Sequence, residues 1–261
     1  MGKRYSTIEL EREGRLLWVR LSRPAVRNAF DDTLLKESAE AFSEAGKDPA
    51  VRVVVVTGSG QAFCAGADLS WMRKVVDFTL ERNRADTRAV VDAFGALYRV
   101  PKPTVAAVNG PAIGGGLGFA AACDVVVASK DAVFGLSEVR LGVVSACITP
   151  FLLRRTPAGR LRRWMLSGER FDVETARSLG LVDLVVPAAE VLPRARDIAQ
   201  GMAQGAPGAQ AVVKDLLDKM PEMTLREALE HSVEVLAKLR ASPEAQKGMR
   251  AFLEKKPCAW E

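Results

Sequence analysis

Residues 109–124 read NGPAIGGGLGFAAACD, with three consecutive glycines at 114–116. Glycine weakens regular structure, and it is useful where a backbone must bend sharply or be approached closely. The run lies between two apolar stretches, PKPTVAAVNG (101–110) and DVVVASK (124–130). Each has the short, Val- and Ala-rich character of a strand covered on both faces. The glycines therefore end one strand and open a helix that leads to the next. Parallel strands need crossovers of this kind, so the segment predicts an α/β fold with a layered core.

Reading outward supports this. STIELERE and GRLLWVRL alternate around Glu13-Gly14 and predict a hairpin. DDTLLKESAEAFSEAGKD has helical periodicity with acidic residues first, where the helix dipole favours them. VRVVVVTGSG is a third buried strand, and polar–apolar helices follow through Arg99. Beyond residue 148 helical patterns dominate, at 158–166, 173–179, 188–204, 208–219, 224–240 and 243–254, interrupted by the short strand LVDLVV. The expected organisation is an α/β core over 1–195 and a C-terminal helical region over 196–261.

Composition narrows the function. The chain has 261 residues, 48% hydrophobic and 26% charged, within the globular range. No apolar run reaches the ~18 residues of a membrane span, and MGKRYSTIELEREG lacks the apolar centre of a signal peptide. Four scattered cysteines and a single histidine, His231, argue against a disulfide framework, a zinc site and a histidine-assisted hydrolase. A cytoplasmic location and no metal are expected. The formal charge of +5 favours anionic partners without naming one.

The glycine run has three readings. Glycines can simply permit tight helix–strand packing. Residues 116–121 match G-x-G-x-x-A, a dinucleotide fingerprint, but the strand that follows ends without an acid for a ribose. The third reading is an anion hole, in which unpaired N–H groups at a helix start meet another from the loop AFCAGAD after the valine strand.

AFCAGADL (62–69), NGPAIGGG (109–116), ACDVVVAS (122–129) and FGLSEVRLGV (134–143), with RPAVRNAF (23–30) and FLEKKPCAW (252–260), resemble the enoyl-CoA hydratase/isomerase, or crotonase, superfamily. The order is consistent from about residue 5 to the end. The resemblance implies a spiral of ββα units with a C-terminal helical trimerisation region, assembled as a homotrimer or a dimer of trimers. It implies an acyl-CoA substrate, with coenzyme A bound as part of the thioester and no tightly held cofactor.

By motif position, the backbone N–H groups of Ala65 and Gly115 would hold the thioester oxygen, and a side chain on Gly115 would fill space the thioester needs. Arg27 and the backbone of Ala67, Asp68 and Leu69 would line the adenine and pantetheine path. Phe252 and Lys255 would close it from the tail, in one arrangement from a neighbouring subunit. Family hydratases typically use two glutamates. The second position is Glu138, whereas the first is Gly118, which offers no acid and would leave room for a branched or carboxylated acyl chain. The aspartate of a dienoyl isomerase would fall at Ala146. Cys147 reads as an apolar wall residue.

The pattern L-S-E-V-R-x-G-x-x-x-A-x-I-x-P-F over 136–151 is similar to the bacterial branch acting on 3-methylglutaconyl-CoA in leucine and isovalerate breakdown. Such a substrate suggests a basic residue near the acyl pocket. The alternatives are a Δ3,Δ2-enoyl-CoA isomerase and an RNA-binding homologue. In MRKVVDFTLERNRADTRAV (72–90) acids interleave with the arginines and no aromatic platform is evident, which argues against nucleic acid as a partner.

Overall fold

The computed structural model describes residues 4–260, and β1 (Ile8–Glu13) and β2 (Leu16–Leu21) form the expected hairpin near its start. Pairing runs antiparallel from Ile8↔Leu21 to Glu13↔Leu16, with Gly14 at φ +56 in the turn. α1 (Asp32–Lys47) begins where the Asp31 side chain accepts the Leu34 N–H, a cap that satisfies one unpaired donor of the first turn. β3 (Val53–Gly58), α2 (Leu69–Val75), α3 (Leu80–Tyr98) and β4 (Thr104–Val108) follow. The glycine region contributes β5 (Ala112–Ile113) and α4 (Gly115–Ala121), and β6 (Val125–Ser129) and β7 (Val133–Gly135) come next.

The remainder is α5 (Thr149–Arg155), α6 (Ala158–Ser167), β8 (Arg170–Asp172), α7 (Val173–Leu179), β9 (Leu184–Val186), α8 (Val191–Met202), α9 (Pro207–Lys219), α10 (Leu225–Ala241) and α11 (Pro243–Leu253).

One sheet runs in the order β1-β2-β3-β4-β6-β9, parallel in every pair after the opening hairpin. Its alternate residues divide between two apolar layers. Leu17, Val19, Val54, Val56 and Ala106 face the larger core beneath α1, α3 and α4. Leu16, Trp18, Val53, Val55 and Val105 face a smaller one closed by Val191, Ala195 and Ala199 of α8. Burial on both faces explains why these strands lack polar alternation.

A second sheet, β5-β7-β8, was not predicted. Its strands are two or three residues long, too short for a period to register. α5 was missed as well. The expected boundary at 195/196 falls inside α8, because α8 is a layer of the core. Among the described residues, α9, α10 and α11 add no side chain to either buried core, while Lys214 and Asp218 of α9 bond to Asp124 and Tyr98. Residues 1–3 and 261, the outer ends of the two expected units, lie outside the described residues.

Candidate active site

The loops after β3, β4 and β7 meet at the carboxyl ends of their strands and enclose a cleft of about 300 Å³. Its lining includes Ala67, Gly114, Gly115, Glu138, Phe94 and Ile148. Backbone bonds join the loops. The N–H groups of Phe63 and Cys64 both donate to Pro111 O at 3.1 Å, and the Ile113 N–H donates to Cys64 O at 3.0 Å.

The structure identifies what presses on the three glycines, and it is protein in each case. A Cβ on Gly114, at φ +54, would lie 2.9 Å from Glu138 Oε1. A Cβ on Gly115 would lie 2.4 Å from Phe30 Cε1, and one on Gly116 would lie 2.1 Å from the Cys64 carbonyl oxygen. The packing reading of the glycines thus holds for the side-chain direction. The expectation that a side chain at Gly115 would enter thioester space is corrected, because that direction is filled by Phe30 and Phe94.

The N–H direction is different. Gly115 is the first residue of α4, and its N–H has no acceptor among the described residues. Ala65 does not supply the matching donor, because its N–H is committed to Arg27 O at 3.0 Å. The available donor is two residues on. Phe30 N–H donates to Gly66 O and Asp68 N–H donates to Phe30 O, the two bonds of a parallel bridge between Phe30 and Ala67. These bonds straddle Ala67, whose own N–H turns the other way and has no acceptor among the described residues. A run of small residues shows that backbone can be approached. It does not show which amides the neighbouring strand consumes.

Glu138 lies in a one-turn 3-10 helix, Ser137–Leu141, closed by Gly142 at φ +76. The Val143 N–H returns to Glu138 O at 3.2 Å and fixes the turn. Oε2 of Glu138 is buried and has no hydrogen-bond partner among the described residues. A buried carboxylate oxygen without a donor is costly unless a ligand or solvent supplies one. Glu138 is the one acid among the residues that line the cleft.

Gly118 does not leave room for substrate, a second correction. A Cβ there would lie 2.3 Å from Ile148 Cγ2 and 3.3 Å from Phe94 Cε1. Cys147 lines the cleft half-buried, and burial pushes its thiol up, which fits a wall residue rather than a nucleophile. No lysine or arginine is among the lining residues, so the basic partner expected beside the acyl pocket is not found there.

Of the expected coenzyme residues, Ala67 and Leu69 line the cleft, Leu69 being 73% exposed. Asp68 is structural. It is 5% exposed, caps α2 through the Ser70 and Trp71 N–H groups, and pairs with Arg23 at 3.0 Å. Burial alone would raise its pKa, but the two N–H groups and the Arg23 guanidinium outweigh it and hold the carboxyl below its usual range. Arg27 is exposed in the left-handed region at φ 54 and does not line the cleft.

Phe252 and Lys255 do not line the cleft of their own chain either. The tail after α11 doubles back, with the Trp260 ring against Gly248 and its carbonyl accepting from Arg15 and Arg52. Those arginines precede β2 and β3, at the strand ends opposite the cleft.

The described residues hold no group of three or more His, Cys, Asp or Glu arranged to hold a metal, and no helix among them is long and apolar enough to cross a membrane.

Comparison with known proteins agrees with this architecture. The sequence profile of the enoyl-CoA hydratase/isomerase family matches residues 11–261. A putative enoyl-CoA hydratase of Thermus thermophilus is 36% identical, over 94% of this chain and 97% of its own. The 2,3-dehydroadipyl-CoA hydratase of Escherichia coli is also 36% identical, over 96% of this chain and 97% of its own. Among solved structures, an enoyl-CoA hydratase from Shewanella pealeana superposes with a TM-score of 0.94 at 31% identity, covering 98% of this chain and 96% of that one.

Proposed function

The chain belongs to the enoyl-CoA hydratase/isomerase family and is an enzyme of the carbon–oxygen lyase type, an enoyl-CoA hydratase; from that premise we propose that Glu138 alone manages water and proton, while Ala67 and Gly115 hold the thioester oxygen. The observation that carries this reading is the buried, unpartnered Oε2 of Glu138 in a cleft also lined by two residues with free N–H groups.

The chemistry follows from that set. The thioester carbonyl accepts from the two amides. Glu138 takes a proton from water as the water oxygen bonds to C3 of the enoyl group. The C2=C3 electron pair moves onto the thioester as an enolate, whose oxygen the N–H groups stabilise. The proton held by Glu138 then passes to C2, and the thioester carbonyl re-forms. The carboxylate ends as it began, and dehydration is the same sequence reversed.

For the acyl group we propose 3-methylglutaconyl-CoA, giving 3-hydroxy-3-methylglutaryl-CoA. The support is the sequence pattern over 136–151, together with the E. coli relative, whose name denotes a dicarboxylic acyl group. Ser137 and Ser145 are the hydroxyl donors of the cleft for a second carboxylate. A second reading, Δ3,Δ2-enoyl-CoA isomerisation, is favoured by the single carboxylate, because one base can carry a proton from C2 to C4. Assembly as a trimer, or a pair of trimers, is part of the proposal. It would cover Leu225, Leu229 and Val233 of α10, which are 77, 59 and 64% exposed.

The test is a panel of 3-methylglutaconyl-, crotonyl- and 3-enoyl-CoA, followed by absorbance of the conjugated thioester and by product mass. A gain of 18 mass units, greatest in kcat/KM for the methylglutaconyl thioester, is the expected result. An isobaric product from the 3-enoyl thioester alone would transfer the assignment to the isomerase.

A further inference from the structure

We propose that Ile148 sets the size of the acyl group this cleft accepts, and that it does so from a seat that exists only because residue 118 is glycine. The proposal rests on the thioester reading above for the identity of the ligand, but not for the interlock itself.

The geometry is specific. Ile148 Cγ2 lies 2.3 Å, and its Cβ 3.1 Å, from where a Cβ on Gly118 would stand. Real atoms do not approach so closely, so any side chain at 118 and the isoleucine at 148 are alternatives for one volume. Ile148 is 2% exposed and is pinned from both sides in the chain. Its N–H donates to Ser145 O at 3.2 Å, and its carbonyl accepts from the Phe151 and Leu152 N–H groups at 3.1 Å as α5 begins. Its backbone, and with it the Cβ, cannot move away without unmaking that helix start.

Phe94 touches the same point, 3.3 Å from the virtual Cβ, and joins Ile148 in the cleft lining. Gly118 lies three residues along α4 from Gly115, whose N–H is one of the two donors. An acyl chain held by its carbonyl at Gly115 therefore extends beside Phe94 and Ile148. A β-branched side chain in that seat is stiff, and it limits substituents on the acyl chain by shape rather than by charge.

Two linked measurements test this. The first is a stability cycle, comparing melting temperatures of wild type, Gly118→Ala, Ile148→Ala and the double variant. Gly118→Ala is expected to lower the melting temperature strongly in the wild-type background and much less in the Ile148→Ala background, where the 2.3 Å clash with Cγ2 is gone and only the tight 3.1 Å Cβ and 3.3 Å Phe94 contacts remain. Equal losses in the two backgrounds would overturn the interlock.

The second measures binding of saturated, unreactive thioesters by calorimetry, butyryl-CoA against the branched isovaleryl-CoA and the longer hexanoyl-CoA. Removing methylenes from a pocket wall shifts discrimination by roughly 10- to 200-fold. Ile148→Ala should thus raise the affinity ratio of the larger thioesters to butyryl-CoA by at least about tenfold. An unchanged ratio, with all three weakened alike, would overturn the size gauge. Failure of the wild type to bind any of the three would overturn the gauge and the thioester reading together, while the melting cycle would still decide the interlock.

Discussion

On one wall of the cleft, each glycine of 114–116 has protein against the face a side chain would take; across from it, Leu141, Val143 and Val144 are 63, 53 and 72% exposed. The first wall is built into the core, where Phe30, Phe94 and Phe119 pack edge to face, with Phe94 and Phe119 centroids 4.7 Å apart. The second is a turn and a loop held by a few backbone bonds. The donors proposed to stabilise charge need a fixed position, and Gly115 has one, with Phe30 and Phe94 packed against it. The exposed lip of Leu141, Val143 and Val144 has no such neighbours. The division predicts that changes on the first wall damage folding and changes on the lip damage binding.

Gly116→Ala should have the largest effect on the fold. Its Cβ would lie 2.1 Å from a backbone oxygen, which cannot rotate aside as a side chain could. A loss of about 3 kcal/mol is expected for such overpacking, or roughly 6–12 °C at ~2–4 °C per kcal/mol. A melting temperature within about 2 °C of wild type would break the comparison at its strongest point.

Arg23→Met comes next. Arg23 pairs with Asp31 and Asp68, each at 3.0 Å, and so ties the start of α1 to the start of α2. Removing it should cost about 2 kcal/mol, less than the ~3–5 kcal/mol of a fully buried pair, because its side chain is 20% exposed. The pH dependence has a definite sign. The Asp68 pKa is depressed in the folded protein, so its contribution is complete above the unfolded value of ~3.9 and is lost as pH falls through the folded value. Acid unfolding followed by circular dichroism should show the wild type losing its advantage over Arg23→Met below about pH 4. A constant difference down to acid unfolding would contradict the assignment.

Val144→Ser should be the mildest for stability, within ~0.5 kcal/mol as for other exposed positions. It should still raise KM for the thioester with kcat little changed, the signature of lost uniform binding. An unaltered KM would remove the lip from the binding surface.

The sequence exposed these two walls unequally. The buried valines of β3 and β6 and the glycine run are long or unusual enough to read directly, and the motif order pointed to Glu138, which lines the cleft from the 137–141 turn. What stayed hidden depends on pairing between distant segments. Ala65 and Ala67 are indistinguishable as small residues, and only the bridge to Phe30 decides which amide is spent and which is free. Gly118 looked like empty space because a sequence does not show that Ile148, thirty positions on, occupies it. The β5-β7-β8 sheet was invisible because two or three residues contain no period.

The central claim is that one carboxylate does the chemistry beside a fixed pair of amides, and Glu138→Gln tests it most directly. The amide keeps the side chain's shape against Gly114 but removes the base and the proton source. Steady-state hydration of the preferred thioester should fall roughly 10²- to 10⁴-fold in kcat, with KM and melting temperature close to wild type. Retention of wild-type kcat by a folded Glu138→Gln protein would contradict the account.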